Sequence, residues 1–214
     1  MTSTLFKKYI ANTPSFSYVT TKYRLDKIDH IAHRSLDMSY LRKYYLDNGF
    51  TLKNDTYNFS RFNVTATWLK SAEPTLRADK SIPYRVFLSQ YRGKEVPIIN
   101  SYKDYRDLSE KNQYLAWTLL HGSDINHLAL QVKNIEYFLF NLKKDPRCTI
   151  GADLQVSKDG KLKQFSLQAD KIEYKFPDGT YYRVPYTFVE FIERIDERDG
   201  FEGDNADKIF DSTK

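Results

Sequence analysis

A short internal repeat constrains the fold of this chain more than any other feature of its sequence. The segment 29–41 aligns without gaps with the segment 126–138, at an offset of 97 residues. Three positions of the alignment are identical: His30 with His127, Ala32 with Ala129, and Tyr40 with Tyr137. Such self-similarity indicates a duplicated supersecondary unit that buries its apolar face against a second copy.

Both copies follow the same order of local structure. A short strand is followed by an Asp or Asn at the start of an amphipathic helix, and the helices are predicted at 38–47 and 135–143. Strand-like stretches follow each helix, because β-branched and aromatic residues alternate there with polar ones. They lie at 57–71 and 82–91 in the first half, and at 164–169, 171–176 and 181–195 in the second, where a new strand begins near Thr187.

Each half therefore has the order βαβββ, and the chain is predicted to be an α+β protein of two paired modules. Five segments follow from this: a helical lead-in at 1–27, a first module at 28–96, a helical insertion or lid at 97–124, a second module at 125–195 and an acidic tail with a gating helix at 196–214.

Composition excludes several classes of protein and of site. The single cysteine, Cys148, rules out an intramolecular disulfide framework and any multi-cysteine metal site, so a metal must be held by His and carboxylates. The net charge of +5 comes without a long Lys or Arg run, which argues against nucleic-acid binding. Neither a membrane span nor a secretory leader is visible, and we expect a cytoplasmic protein.

The repeat also suggests a metal site. Side chains alternate across a strand, so His30 and His127 should point from equivalent strand faces into one cavity, each beside a small alanine. Glu190 lies in an otherwise apolar final strand, where a charge is costly unless it is paired or bound to metal. Two imidazoles and one carboxylate are the ligands of non-haem Fe(II) oxygenases, and Fe(II) or Mn(II) fits this set. The alternatives are a packed core histidine and a glutamate that protects a sheet edge.

Two sets of motifs in this sequence resemble those of known protein families. The βαβββ repeat with a His in each half resembles the vicinal oxygen chelate superfamily, and Phe188–Arg194 is similar to the terminal iron-binding signature of the 4-hydroxyphenylpyruvate dioxygenase group. The segments 29–34, 125–128 and 205–213 more closely resemble the 2-oxoadipate dioxygenase/decarboxylase family, long catalogued as a domain of unknown function.

The resemblance implies a glyoxalase- or dioxygenase-like barrel with Fe(II) bound by His30, His127 and Glu190. It implies that Arg34 binds a substrate carboxylate, and Gln131 and Arg194 are further substrate-binding candidates on the same strand faces. No catalytic residue beyond the metal ligands is expected.

The implied partners are a 2-oxo acid and O₂, and the implied products are CO₂ and a 2-hydroxy acid such as 2-hydroxyglutarate, in a setting of lysine catabolism. Neither nucleic acid nor membrane is an expected partner, and a monomer or loose homodimer is expected. The alternative function is that of a non-catalytic protein of the same fold that binds a small anion.

Overall fold

The structure is a computed structural model that describes residues 2–71, 85–198, 200 and 208. The helices are α1 Thr2–Asn12, α2 Pro14–Lys22, α3 Ser39–Asp47, α4 Tyr102–Lys111, α5 Gln113–His121 and α6 Ile135–Leu142. The strands are β1 Ile28–Ser35, β2 Phe50–Phe59, β3 Val64–Ser71, β4 Arg85–Tyr91, β5 Asp124–Gln131, β6 Ile150–Val156, β7 Leu162–Leu167, β8 Asp170–Lys175 and β9 Tyr181–Arg194. The predicted gating helix and most of the terminal motif 205–213 lie outside the described residues.

The strands form one sheet in the order β2-β3-β4-β1-β5-β9-β7-β6, and β8 pairs with β9. Within each half the first strand runs parallel to the last, as β1 does to β4 and β5 does to β9. The two halves meet where β1 and β5 pair in antiparallel orientation. This is the paired-module α+β architecture predicted from the repeat.

The second module differs from the prediction in two details. The strand β6 was missed, whereas β8 was predicted at 171–176 and lies outside the main path of the sheet. The stretch 181–194 is one continuous strand instead of two. It pairs with β8 over 181–187 and with β7 over 190–194, so only its partners change near Thr187.

The sequence of β6 explains why it was missed. Gly151 lies near its start, and Gly weakens a strand pattern because it has no side chain to pack. A Cβ at this position would lie 2.8 Å from the carbonyl oxygen of Leu167 on the neighbouring strand. The glycine is therefore required by close backbone approach within the sheet.

The two repeat helices lie where the sequence placed them. In the first module, the carboxylate of Asp37 accepts a hydrogen bond from the Ser39 N–H at 2.9 Å, at the start of α3. In the second, the side chain of Asn134 accepts from the Tyr137 N–H, and the carboxylate of Glu193 accepts from the Asn134 and Ile135 N–H groups. These acceptors satisfy amide groups that have no partner within the helix.

Helices outside the repeat complete the core. Tyr9 of α1 and Phe16 and Val19 of α2 belong to a buried apolar cluster that is formed mainly by residues of the second module. The insertion helix α5 is largely buried, and its Trp117 is only 1% exposed. Helix α5 of the insertion is therefore part of the core, although the sequence suggested a spacer or lid. Within the described ranges, no helix has both the length and the apolar character needed to cross a bilayer.

Candidate metal and substrate site

Three side chains from the two modules converge at the centre of the sheet. Nε2 of His127 lies 3.0 Å from Oε2 of Glu190, and Nε2 of His30 lies 3.5 Å from the same oxygen. The two Nε2 atoms are 3.2 Å apart. All three residues are buried. In the part of the chain that the structure describes, they are the one group of His, Cys, Asp and Glu donors close enough together to hold an ion.

Strand register explains the convergence. His30 pairs with Ala129 across the antiparallel junction, and Ala32 pairs with His127, so the two histidines lie diagonally on one face. Ala129 pairs in turn with Glu190 on β9. The alanines beside each histidine leave room for three large polar side chains to meet.

The other ring nitrogen of each histidine is held by the residue before it. Nδ1 of His30 lies 3.0 Å from Oδ1 of Asp29, and Nδ1 of His127 lies 2.7 Å from Oδ1 of Asn126. An oxygen acceptor at Nδ1 favours the tautomer with its proton there, which leaves the Nε2 lone pair free to bind a metal. Both imidazoles are thus oriented as metal ligands.

Glu190 has one oxygen with no partner. Its Oε1 is buried and has no hydrogen-bond partner among the described residues. Burial opposes ionisation of this carboxyl group, but hydrogen bonds with His127 and His30 lower its pKa to about 2. An ionised, partly unpaired carboxylate in the interior is destabilising unless a cation binds it and neutralises its charge. Two imidazoles and this carboxylate therefore fit a divalent transition metal.

Asp29 connects the site to a buried ion pair. Its two carboxylate oxygens accept hydrogen bonds from Nε and Nη2 of Arg194, at 2.8 and 3.0 Å, and Nη1 of Arg85 lies 3.2 Å from Oδ2. Burial opposes the charge on Asp29, yet hydrogen bonding with His30 and the charge of Arg194 hold its pKa well below the usual range.

The structure gives Arg194 partners other than substrate. Besides the two bonds to Asp29, its Nη1 donates to the carbonyl oxygens of Arg198 and Gly200, at 2.9 and 3.0 Å. These contacts fix the end of β9 relative to β1. The assignment of Arg194 as a substrate ligand stays a prediction, and its observed contacts are structural.

Arg34 is fully buried and only partly bonded. Its Nη1 donates to the carbonyl oxygens of Ile125 and Tyr186, at 2.9 and 3.4 Å. Its Nε and Nη2 have no partner among the described residues. The guanidinium carbon lies 4.8 Å from the centre of the Trp117 ring, and burial lowers the pKa of Arg34. In the described part of the chain, the predicted substrate-binding arginine thus has two buried nitrogen atoms that donate to no acceptor.

Gln131 lies at the end of β5, half-buried and paired with Ile192. It shares a strand face with His127, as predicted, because the two are four residues apart. The other two histidines have structural contacts. Nε2 of His33 lies 2.8 Å from the hydroxyl of Tyr45, and Nε2 of His121 lies 2.8 Å from the carbonyl oxygen of Pro185.

Aromatic rings enclose the three candidate ligands. Phe188 stacks on His127 with ring centres 4.6 Å apart, and Trp68 contacts the edge of His30 at 5.2 Å. Trp117 lies beyond Phe188, at 6.2 Å. Such a lining excludes bulk water and strengthens electrostatic interactions inside the site.

Sequence reasoning missed two residues that orient the histidines. Asp29 and Asn126 occupy equivalent positions at the start of the repeat, and both side chains carry an oxygen acceptor. That chemical likeness was a signal that could have found them. No comparable signal marked Gln164 of β7, which is fully buried and lies on the face of the sheet that carries Glu190.

Comparison with known proteins supports the resemblance. The family model for 2-oxoadipate dioxygenase/decarboxylase matches residues 96–197. The chain is 35% identical over 135 residues to the chloroplastic 2-oxoadipate dioxygenase/decarboxylase of Arabidopsis thaliana, which covers 51% of this chain and 36% of that protein. A protein of the same description from Oryza sativa subsp. japonica is 34% identical over 137 residues, covering 52% and 38%. The chain thus spans little more than a third of the length of these curated relatives.

Solved structures show the same fold. Hydroxyglutarate synthase from Oryza sativa, crystallised in complex with 2-oxoadipate, matches with a TM-score of 0.86 and 23% identity over 99% of this chain and 90% of that one. A glyoxalase superfamily protein from Ralstonia eutropha JMP134 matches at 0.73, with 17% identity over 91% and 82%. The predicted glyoxalase-like fold is confirmed, and the chain resembles the family that its repeat and terminal strand indicated.

Proposed function

We propose that this chain is a non-haem Fe(II) dioxygenase that converts a 2-oxo acid of the 2-oxoadipate class and O₂ into CO₂ and the 2-hydroxy acid one carbon shorter, such as 2-hydroxyglutarate. The observation that carries the proposal is the convergence of His30, His127 and Glu190, in which one buried carboxylate oxygen has no partner among the described residues. The names of the two curated relatives support it.

The protein's own residues prepare the site for a metal. An iron(II) ion held by the three side chains would supply open positions at which a 2-oxo acid and O₂ can meet. Asp29 and Asn126 keep the Nε2 lone pairs of the histidines directed inward. Trp68 and Phe188 keep water away from the reacting atoms.

Arg34 is the residue we assign to the distal carboxylate of a dicarboxylic substrate. Its Nε and Nη2 form the edge of a guanidinium that can bind a carboxylate through two parallel hydrogen bonds. The backbone carbonyl of Ile125 anchors Nη1, so the free edge is held in one orientation. A buried cation with two idle donors is costly in the empty protein, and a bound carboxylate would compensate for that cost.

All three proposed ligands come from one chain, so the site does not require a second copy. This supports the predicted monomer or loose homodimer. The cytoplasmic location stays a prediction, and both curated relatives are described as plastid proteins.

The test is O₂ uptake by anaerobically Fe(II)-reconstituted protein with a panel of 2-oxo acids that includes 2-oxoadipate. We expect one iron per chain, and O₂ consumption matched mole for mole by CO₂ release. Glu190→Ala should lose both iron and uptake. Glu193→Ala is the matched control, because Glu193 lies on the same strand but caps α6.

Two outcomes would contradict the proposal in different ways. Stoichiometric iron without consumption of any 2-oxo acid would favour the non-catalytic anion-binding alternative. Wild-type protein that binds no iron, or Glu190→Ala protein that retains it, would disprove the metal site itself.

A further inference from the structure

The side chain of Gln164 is a buried amide for which the described residues supply no hydrogen bond. The residue lies in β7, its exposed fraction is 0%, and neither Oε1 nor Nε2 has a partner among the described residues. Burying an unpaired primary amide is unfavourable, because the amide loses its hydrogen bonds to water and gains none in return. Such a group calls for an explanation, and a ligand that supplies the missing partners is one.

Strand register places this amide next to the proposed metal site. Ser166 pairs with Glu190, and Gln164 pairs with Ile192, so Gln164 is the diagonal neighbour of Glu190 on the same face. Diagonal neighbours in an antiparallel pair have Cα atoms roughly 7–8 Å apart, within reach of a long side chain. Gln131 pairs with Ile192 from the other side, so two glutamines flank that residue.

The first module shows that the sheet does not need a polar group at this position. There, Ala66 pairs with Ser89 on the last strand of the module, as Gln164 pairs with Ile192 in the second. Ala66 is fully buried in an apolar cluster. The equivalent position is thus filled well by a small apolar side chain, and packing alone does not account for a glutamine.

Gln164 and Arg34 lie on opposite sides of the three candidate ligands. Arg34 donates to the carbonyl oxygen of Tyr186, four residues before Glu190 on β9, whereas Gln164 pairs with Ile192, two residues after it. A substrate whose distal carboxylate reaches Arg34 would therefore direct its other end, the 2-oxo carboxylate, towards Gln164.

We propose that Gln164 is a substrate-binding residue that donates from Nε2 to the carboxylate next to the keto group, the end that all 2-oxo acids share. This inference rests on the proposed function. A neutral amide suits the position, because a Lys or Arg there would pair with the free oxygen of Glu190, and an acidic side chain would repel both Glu190 and the substrate. Gln164 thus recognises the class of 2-oxo acids, and Arg34 selects dicarboxylic members.

The test uses Gln164→Met, which keeps the volume of the side chain and removes both polar atoms. Binding of 2-oxoadipate and of 2-oxohexanoate, which lacks the distal carboxylate, is measured by calorimetry on Fe(II)-loaded protein without O₂, so that no turnover occurs. Thermal unfolding of the metal-free protein is the second readout. Gln155→Met is the matched control, since Gln155 pairs with Gln164 across the strands but is only partly buried and donates to the carbonyl oxygen of Asp153.

We expect Gln164→Met to lower the affinity for both acids by the same factor, about tenfold. This is the effect of losing one hydrogen bond to a charged group. Arg34→Met should lower the affinity for 2-oxoadipate only. The Tm of metal-free Gln164→Met should not fall, and a rise of up to about 2–4 °C is expected because an unpaired amide has been removed. Gln155→Met should leave both affinities unchanged.

Other results would overturn the inference. Unchanged affinity for both acids, or a loss confined to 2-oxoadipate, would show that Gln164 does not bind the shared end, while the proposed function would stand. A lower Tm with unchanged affinity would indicate that the Gln164 amide binds a structural water molecule instead of the substrate. If wild-type Fe(II) protein binds neither acid, the proposed function fails, and this inference fails with it.

Discussion

The two modules contribute a histidine from equivalent positions, but only the second contributes a carboxylate. In the second module Ala129 pairs with Glu190, whereas in the first the equivalent Ala32 pairs with Phe87. Phe87 packs against Trp68, with ring centres 4.8 Å apart. The duplicated scaffold could present four ligands and presents three, because an aromatic ring occupies the fourth position. The side of the site towards the first module is consequently apolar.

The side chains that accept a hydrogen bond from Nδ1 of the two histidines also differ between the modules. His30 is held by Asp29, an ionised carboxylate in a buried ion pair with Arg194. His127 is held by Asn126, a neutral amide whose Nδ2 has no partner among the described residues. Asp29 therefore contributes both to the orientation of a ligand and to the stability of the fold, whereas Asn126 contributes mainly to orientation.

Replacing the aromatic ring at the fourth position with a carboxylate should have the largest effect. Phe87→Glu places a carboxylate at the equivalent of Glu190, so we expect iron to be retained and O₂ uptake with 2-oxoadipate to fall about 100-fold or more, because a fourth ligand takes a position that the substrate needs. Iron stoichiometry and O₂ uptake are measured on the same sample. Phe87→Leu is the control for lost ring packing, and near wild-type uptake by iron-loaded Phe87→Glu would contradict the comparison.

Removing the side chains of Asp29 and Asn126 one at a time should separate their roles. Asp29→Ala leaves Arg194 buried without its carboxylate partner and should lower the free energy of unfolding by about 3–5 kcal/mol. Asn126→Ala should lower it by only about 1 kcal/mol but weaken iron binding about 10–100-fold. Chemical denaturation and metal titration give the two quantities. Equal losses of stability in the two variants would show that the ion pair is not what distinguishes the modules.

The smallest expected effect is a pH dependence of the Tm that arises from a contact of the second module alone. The carboxylate of Asp145, after α6, accepts hydrogen bonds from Lys22, Tyr18 and Tyr23 of the N-terminal segment. Hydrogen bonding to Lys22, followed by that to Tyr18, holds the pKa of Asp145 well below its usual value.

A carboxyl group whose pKa is lower in the folded state stabilises the fold above its unfolded pKa of about 4, and this contribution is lost as the pH falls towards the folded pKa. Asp145→Asn should therefore lower the Tm near pH 6, and the difference from wild type should shrink as the pH approaches about 2. Asp47→Asn, in the exposed Lys43–Asp47 pair of α3, is the control and should change the Tm little at any pH. A difference that is constant with pH would disprove the assignment.

Most of the architecture follows from local patterns in the sequence. The repeat, the helix starts and the alternation of the strands predicted the paired modules, because each depends on residues a few positions apart. The missed strand β6 contains Gly151, which the sheet requires for close backbone approach to Leu167 and which no local pattern reveals. The sequence analysis divided the strand β9 near Thr187; in the structure its pairing partners change there, although its backbone continues.

By itself the sequence determined which three side chains could meet, because strand alternation and an ungapped repeat place His30, His127 and Glu190 on equivalent faces. Only the tertiary structure decided what the remaining polar groups do. Arg194 bonds to Asp29, 165 positions away in the chain, and the side-chain amide of Gln164 has no hydrogen-bond partner among the described residues. Hydrogen bonds depend on atoms brought together within about 3 Å, and for residues far apart in sequence only the folded chain sets that distance.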